Sequence, residues 1–171
     1  MDMPQVLGGA PWKKLNSACD RNDIVVIAVA AVIFLGCTVS PPALMDDVDS
    51  VNATIARNML TSGDWVTGHL NGVLYVDKAP LNYWLMAGSY AVFGPRDWAA
   101  RIPLALAAIA LCWFTACFGR WAFSACAGLY AGLSLASCVG LFLFTRVRIP
   151  DVALTLAVTA ALWGVARARG R

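Results

Sequence analysis

The residues of this chain best suited to chemistry are carboxylates at the edges of apolar stretches. Met45-Asp46-Asp47-Val48-Asp49 follows the first long apolar run, and Arg148-Ile149-Pro150-Asp151 stands at the edge of a later one. A carboxylate is costly in hydrocarbon, so this placement puts both groups at a membrane surface. A carboxylate within hydrogen-bond reach of a hydroxyl can take its proton as the oxygen attacks, and Asp46, Asp47, Asp49 and Asp151 are the candidates for that work. The plainer reading of each is a solvated charge at a helix end, which for Asp151 after Pro150 is a favourable N-terminal charge. A shared site requires the intervening elements to bring the two groups to one side of the membrane.

Those elements are apolar. Of 171 residues, 60% are hydrophobic and 13% charged, with a mean hydropathy of +0.67. Ordinary soluble domains carry roughly 25% charged residues, so the composition indicates an all-α integral membrane protein in a lipid bilayer. The net charge of +3 is spread over short loops with no basic stripe, which excludes nucleic acid as a partner. Six cysteines form no C-x-x-C pair and read as small apolar residues within helices.

Uncharged runs place spans at about 24–43, 102–119, 122–144 and 151–168, each near the roughly 20 residues a helix needs to cross. Residues 1–23 then form a cytoplasmic tail ahead of an uncleaved anchor, 44–100 a large outer loop and 169–171 a second cytoplasmic tail. Gly128-Leu129-Tyr130-Ala131-Gly132 in the third run is a G-x-x-x-G, the spacing that lets a neighbouring helix come close.

Residues 79–95 are ambiguous: an uncharged stretch bounded by Pro80 and Gly94-Pro95, with Tyr83, Trp84 and Tyr90 of the interfacial type. If this stretch crosses, Asp46–Asp49 and Asp151 end on opposite faces; if it lies at the surface, they share one. Counting Lys and Arg divides them seven to six either way. Within the loop, Val51, Ile55, Met59 and Leu60 recur at helical spacing and Ser62-Gly63 supplies a stop, which predicts an amphipathic helix. Asn71-Gly72 between short apolar runs predicts a tight turn.

The loop also resembles a family. Ile55-Ala56-Arg57-Asn58-Met59-Leu60, Ser62-Gly63-Asp64-Trp65, Leu70-Asn71-Gly72-Val73 and Tyr75-Val76-Asp77-Lys78-Ala79-Pro80-Leu81-Asn82-Tyr83-Trp84-Leu85 are similar, in order and spacing, to the first periplasmic loop of bacterial aminoarabinose transferases (ArnT-like) and protein O-mannosyltransferases, which share the GT-C fold. Phe93-Gly94, Trp98-Ala99-Ala100-Arg101-Ile102-Pro103 and Arg148-Ile149-Pro150-Asp151 extend the resemblance, which covers roughly 24–168 and the N-terminal third of a typical member.

The resemblance implies a membrane glycosyltransferase of the bacterial inner membrane, multi-pass, with both termini cytoplasmic. It implies inverting transfer from a polyprenyl-phosphate-linked sugar to a hydroxyl of a glycolipid, protein or glycan on the periplasmic face. Asp47 matches the catalytic carboxylate best; the local Asp46-Asp47-Val48-Asp49 departs from the family's Asp-Glu pair, so Asp46 and Asp49 stay open. Asp151 matches the second acidic position. Lys78 matches a lysine associated with the carrier phosphate, with Arg57, Arg148 and Tyr75 as further substrate-binding candidates. Asp77 matches an acidic residue linked to a divalent metal in the aminoarabinose transferases. The same resemblance sets 79–95 in the juxtamembrane part of the loop and implies missing helices, which a second polypeptide could supply. The rival expectations are a truncated, non-catalytic membrane protein or a carrier-lipid-binding subunit. A small transporter fits less well, because the spans hold almost no internal charge.

Overall fold

In lipid the backbone must satisfy its own hydrogen bonds, and the long apolar runs accordingly fold as helices. A computed structural model describes residues 21–39, 47–75, 80–146 and 151–169. The elements are α1 (Arg21–Val39), α2 (Asp47–Ser62), β1 (Gly68–Leu70), β2 (Val73–Tyr75), α3 (Leu81–Phe93), α4 (Asp97–Ala122), α5 (Ala125–Ala136), α6 (Val139–Arg146) and α7 (Asp151–Arg169). The fold is of the all-α membrane class, with one small antiparallel hairpin. Among the described residues, α4 and α7 are each long and apolar enough to cross a membrane, and α5 with α6 adds a third if that bent pair is one span.

The boundaries differ from the uncharged runs for physical reasons. α4 extends past its run at both ends, since Asp97 in its first turn and Arg120 in its last are charges that the helix dipole favours there. The run at 122–144 folds as two helices meeting at 51°. Between them the Ser137 hydroxyl donates to the Ser134 carbonyl at 3.1 Å, a local partner that competes with helical continuation. α3 has 13 residues; at about 1.5 Å per residue it is roughly 20 Å long, short of the roughly 30 Å hydrocarbon core.

Two packed regions result. In the bundle, Val26, Ala30 and Phe34 recur every fourth residue on α1 and bury against Leu104, Ala105, Ala108, Leu111, Cys112 and Ala116 of α4. Ala136 of α5 and Val152 of α7 close this core. At the N-terminal end of α4 a cap is built from α2, the hairpin and α3: Ala56, Met86, Ala87 and Tyr90 pack on Ala99 and Ala100, while Ile55, Met59 and Tyr83 form a neighbouring cluster. Tyr83 and Tyr90 are therefore buried, contrary to their interfacial reading; with Met86 and Ala87 they share the α3 face that meets α2. Trp84, on the other face, is exposed. Two cysteines, Cys112 and Cys117, are buried as expected, whereas Cys126 and Cys138 lie exposed near the ends of α5.

Pro103 explains how the cap is fastened. Proline has no N–H, so the Ala99 carbonyl loses its partner one turn ahead. The buried Ser89 hydroxyl of α3 donates to that carbonyl at 2.5 Å, joining α3 to α4 through a group that would otherwise be orphaned.

The G-x-x-x-G marks a close approach of helices in the bundle. A Cβ on Gly128 would sit 2.5 Å from the Ala116 carbonyl oxygen and 2.8 Å from the Arg120 nitrogen, and one on Gly132 2.8 Å from Val26. Gly128→Ala should therefore force α5 away from α4 and cost about 1–3 kcal/mol. Gly164 has nothing within 4 Å of a Cβ, so Gly164→Ala should be neutral or slightly stabilising. Unfolding in mixed detergent micelles distinguishes the two, and equal midpoints would contradict the close approach.

Candidate functional site

The loop that carries the candidates is shaped by its own side chains. Asn71 and Gly72 both take positive φ, 51° and 81°, which gives the two-residue turn between β1 and β2. Ahead of it, the Val66 and Thr67 N–H groups donate to Asp64 Oδ1 at 3.0 and 3.1 Å, and the Thr67 hydroxyl donates to Oδ2. The Thr67 hydroxyl above all, followed by these N–H groups, holds the Asp64 carboxyl down at about 2. Asp64 is thus the organiser of the turn between α2 and the hairpin, with His69 Nδ1 3.9 Å away as a loop neighbour. The Asn58 amide donates to the His69 carbonyl at 2.8 Å, and the Trp84 indole N–H to the Trp65 carbonyl at 2.6 Å. These two bonds fix the hairpin to α2 and the loop to α3.

Onto this frame the candidates fall as follows. Asp47 is the first residue of α2 and Asp49 lies in its first turn. Tyr75 ends β2, paired with Gly68, and packs half-buried against the Ile55–Met59–Tyr83 cluster. Arg57 is exposed on α2, on the side away from Ile55 and Met59. Asp151 is exposed and opens α7, its carbonyl accepting from the Thr155 hydroxyl at 2.7 Å. Asp46, Asp77, Lys78 and Arg148 lie outside the described residues.

The start of α7 is brought to the cap. A cleft is lined by Asn82, Leu85 and Met86 of α3, Ala100, Pro103 and Leu104 of α4, and Ala153 of α7. Ala153, near the start of the helix opened by Asp151, therefore faces α3 across this cleft, while α7 itself packs on α4. At the far end of the bundle, the Arg120 guanidinium donates to Asp23 Oδ2 at 2.7 Å, joining the end of α4 to the start of α1. Neither this pair nor the Ser89 clamp was read from sequence. Pro103 inside an apolar run signals an orphaned carbonyl, but nothing in the sequence says that α3 supplies the donor.

Three comparisons bear on this arrangement. A family model described as dolichyl-phosphate-mannose-protein mannosyltransferase matches residues 77–170. An undecaprenyl phosphate-alpha-4-amino-4-deoxy-L-arabinose arabinosyl transferase 2 from Pseudomonas fluorescens (strain Pf-5) is 34% identical over 91 residues, which are 53% of this chain and 16% of that protein. Its namesake from Sodalis glossinidius is 31% identical over 123 residues, 68% of this chain and 22% of that protein. Among solved structures, ArnT from Cupriavidus metallidurans in the apo state superposes with a TM-score of 0.72 at 27% identity, covering 80% of this chain and 25% of that one. The same protein bound to undecaprenyl phosphate gives 0.68 at the same identity and coverage. This chain spans a quarter or less of each relative's length.

Proposed function

The chain belongs to the dolichyl-phosphate-mannose-protein mannosyltransferase family, and from that premise we propose that it is the N-terminal part of an inverting glycosyltransferase using a polyprenyl-phosphate-linked sugar. Its acceptor is a hydroxyl on the periplasmic face of a bacterial inner membrane. The observation that supports this reading is the cleft at the corner of α3 and α4, which Ala153 near the start of α7 also lines.

In the reaction, a carboxylate at the start of α2, Asp47 first, takes the acceptor's hydroxyl proton. The freed oxygen bonds to the anomeric carbon while the bond from that carbon to the phosphate oxygen breaks, inverting the centre. The polyprenyl phosphate departs as an anion, so its leaving needs positive charge rather than a protonating acid. Lys78 supplies that charge, with Arg57 and Arg148 as further cations, Tyr75 as a carrier contact and Asp151 as the second acidic group.

The topology this requires has two supports. An ion pair needs both partners at one membrane face, so Asp23–Arg120 favours α1 and α4 as an out-and-back pair with no crossing between them. The 13-residue α3 is short for such a crossing. With α5 and α6 as one bent crossing, Asp47 and Asp151 then face one side, and the chain's two ends the other.

Undecaprenyl phosphate titrated onto the purified chain in nanodiscs tests the reading. The wild type should bind, and Lys78→Gln should weaken binding about tenfold or more, the worth of a hydrogen bond to a charged group. Equal affinity would remove Lys78 from the site. The chain's length favours one second reading, a carrier-binding module whose donor pocket is completed by further helices of this or another polypeptide. Such a module would show the Lys78 effect without transferring sugar.

A further inference from the structure

We propose that the corner between α3 and α4 is a lipid anchor, in which Phe93, Arg96 and Trp98 seat the cap among phospholipid headgroups. The inference rests on the membrane helix α4 and not on the catalytic reading, and it holds for whichever leaflet lies on the Asp97 side.

Ile102, Leu106 and Trp113 share a face of α4, with Leu106 and Trp113 exposed as apolar side chains. An aromatic pair stands at each end of the helix. Phe93 and Trp98 lie 5.4 Å apart between ring centroids at the start, Phe118 and Trp121 5.9 Å apart at the end. Trp98 and Trp121 are 23 residues apart in one continuous helix. At about 1.5 Å per residue that is roughly 35 Å, which places the two indoles just beyond either edge of a roughly 30 Å hydrocarbon core. Tryptophan favours that level, where its ring meets chains and its N–H meets headgroups.

The first of these ends carries more than rings. The Arg96 guanidinium sits 5.9 Å from the centroid of the Trp98 ring. A cation on an indole at the membrane edge presents its charge to lipid phosphate while its stem covers apolar surface. Beside it Val92 is 74% exposed and Phe93 44%. Phe93 meets Trp98, and Trp98 stands about one and two turns ahead of Ile102 and Leu106 on α4, so the solvent that covers that face also reaches this corner. The bilayer is that solvent, and the cationic tip fits its anionic headgroups.

Depth measurement by spin labelling tests this. Labels are placed at Val92→Cys, Leu106→Cys and Phe123→Cys, with all six native cysteines replaced by alanine, in vesicles of phosphatidylethanolamine and phosphatidylglycerol. Position 106 should collide chiefly with oxygen, while 92 and 123 should meet oxygen and a water-soluble nickel chelate to similar extents. Adding Arg96→Glu and Trp98→Ala should raise the nickel-to-oxygen ratio at 92 several-fold and leave 106 and 123 unchanged. A label at 92 that is fully aqueous, closed to both reagents as under a protein contact, or indifferent to the double substitution overturns the proposal. A second measurement keeps the native cysteines: brominated phospholipids should quench a tryptophan component that Trp98→Phe removes, more strongly with bromine near the headgroup than near the chain end. The absence of such a component also overturns it.

Discussion

Asp47→Asn is expected to lower sugar transfer by about 10²–10⁴-fold, the usual worth of a positioned general base. Asparagine keeps the shape and hydrogen-bonding reach of the side chain but cannot accept the acceptor's proton at neutral pH. Carrier binding should stay within a factor of about two, because the phosphate is met by cations, Lys78 first, and not by this carboxylate. The combination separates chemistry from binding: Lys78→Gln weakens carrier binding, whereas Asp47→Asn leaves it and removes turnover. The measurement is transfer of a radiolabelled sugar from a polyprenyl-phosphate donor by purified protein. Asp46→Asn and Asp49→Asn belong beside it, because all three carboxylates fall within four residues in sequence and each can serve as the base. A loss confined to Asp46→Asn or Asp49→Asn would move the base to that residue. Full activity in all three variants, or none in the wild type, would sink catalysis by this chain at this site and leave the carrier-binding reading.

What the sequence disclosed depended on the range of the interaction. Local patterns were legible. Val51, Ile55 and Met59 mark the face of α2 that is buried, Gly63 follows its last residue, Asn71-Gly72 forms the hairpin turn, and the G-x-x-x-G meets another helix. Features set by a distant partner were not. Tyr83 and Tyr90 look interfacial in isolation and are buried because α2 packs over them. Ser89 is an ordinary polar residue until Pro103 leaves the Ala99 carbonyl open beside it. The break between α5 and α6 falls in an uninterrupted uncharged run, where counting residues cannot see it. The site divides the same way. Residue type and position nominated the acids at helix starts, and Asp151 indeed opens α7. The cleft that Ala153 of α7 shares with α3 and α4 was not legible, since no local pattern encodes which helix ends adjoin.

The longest-range of these features, 97 residues apart in sequence, also carries the largest expected effect on stability. Asp23 has a side chain only 4% exposed and Arg120 one 20% exposed, with 2.7 Å between their charged atoms. Arg120→Met would leave a carboxylate buried with no cation beside it, and breaking a buried pair from one side costs about 3–5 kcal/mol. Unfolding by sodium dodecyl sulfate in mixed micelles reads that loss. Asp23→Leu combined with Arg120→Met should recover most of it, because a well-packed apolar pair avoids the desolvation that both charges incur. The exchange Asp23→Arg with Arg120→Asp should recover part, and only if the two helix ends meet. That last variant reaches past stability, since an ion pair cannot join opposite faces of a bilayer. Rescue by exchange means that α1 and α4 form one out-and-back passage, with residues 79–95 kept from crossing between them; where α5 and α6 cross once as a bent span, the acids at the starts of α2 and α7 then share a side. If Arg120→Met changes stability by less than about 0.5 kcal/mol, the range of an ordinary surface substitution, and the exchange does nothing, the pair does not hold the bundle. The shared site would then lose its strongest topological support.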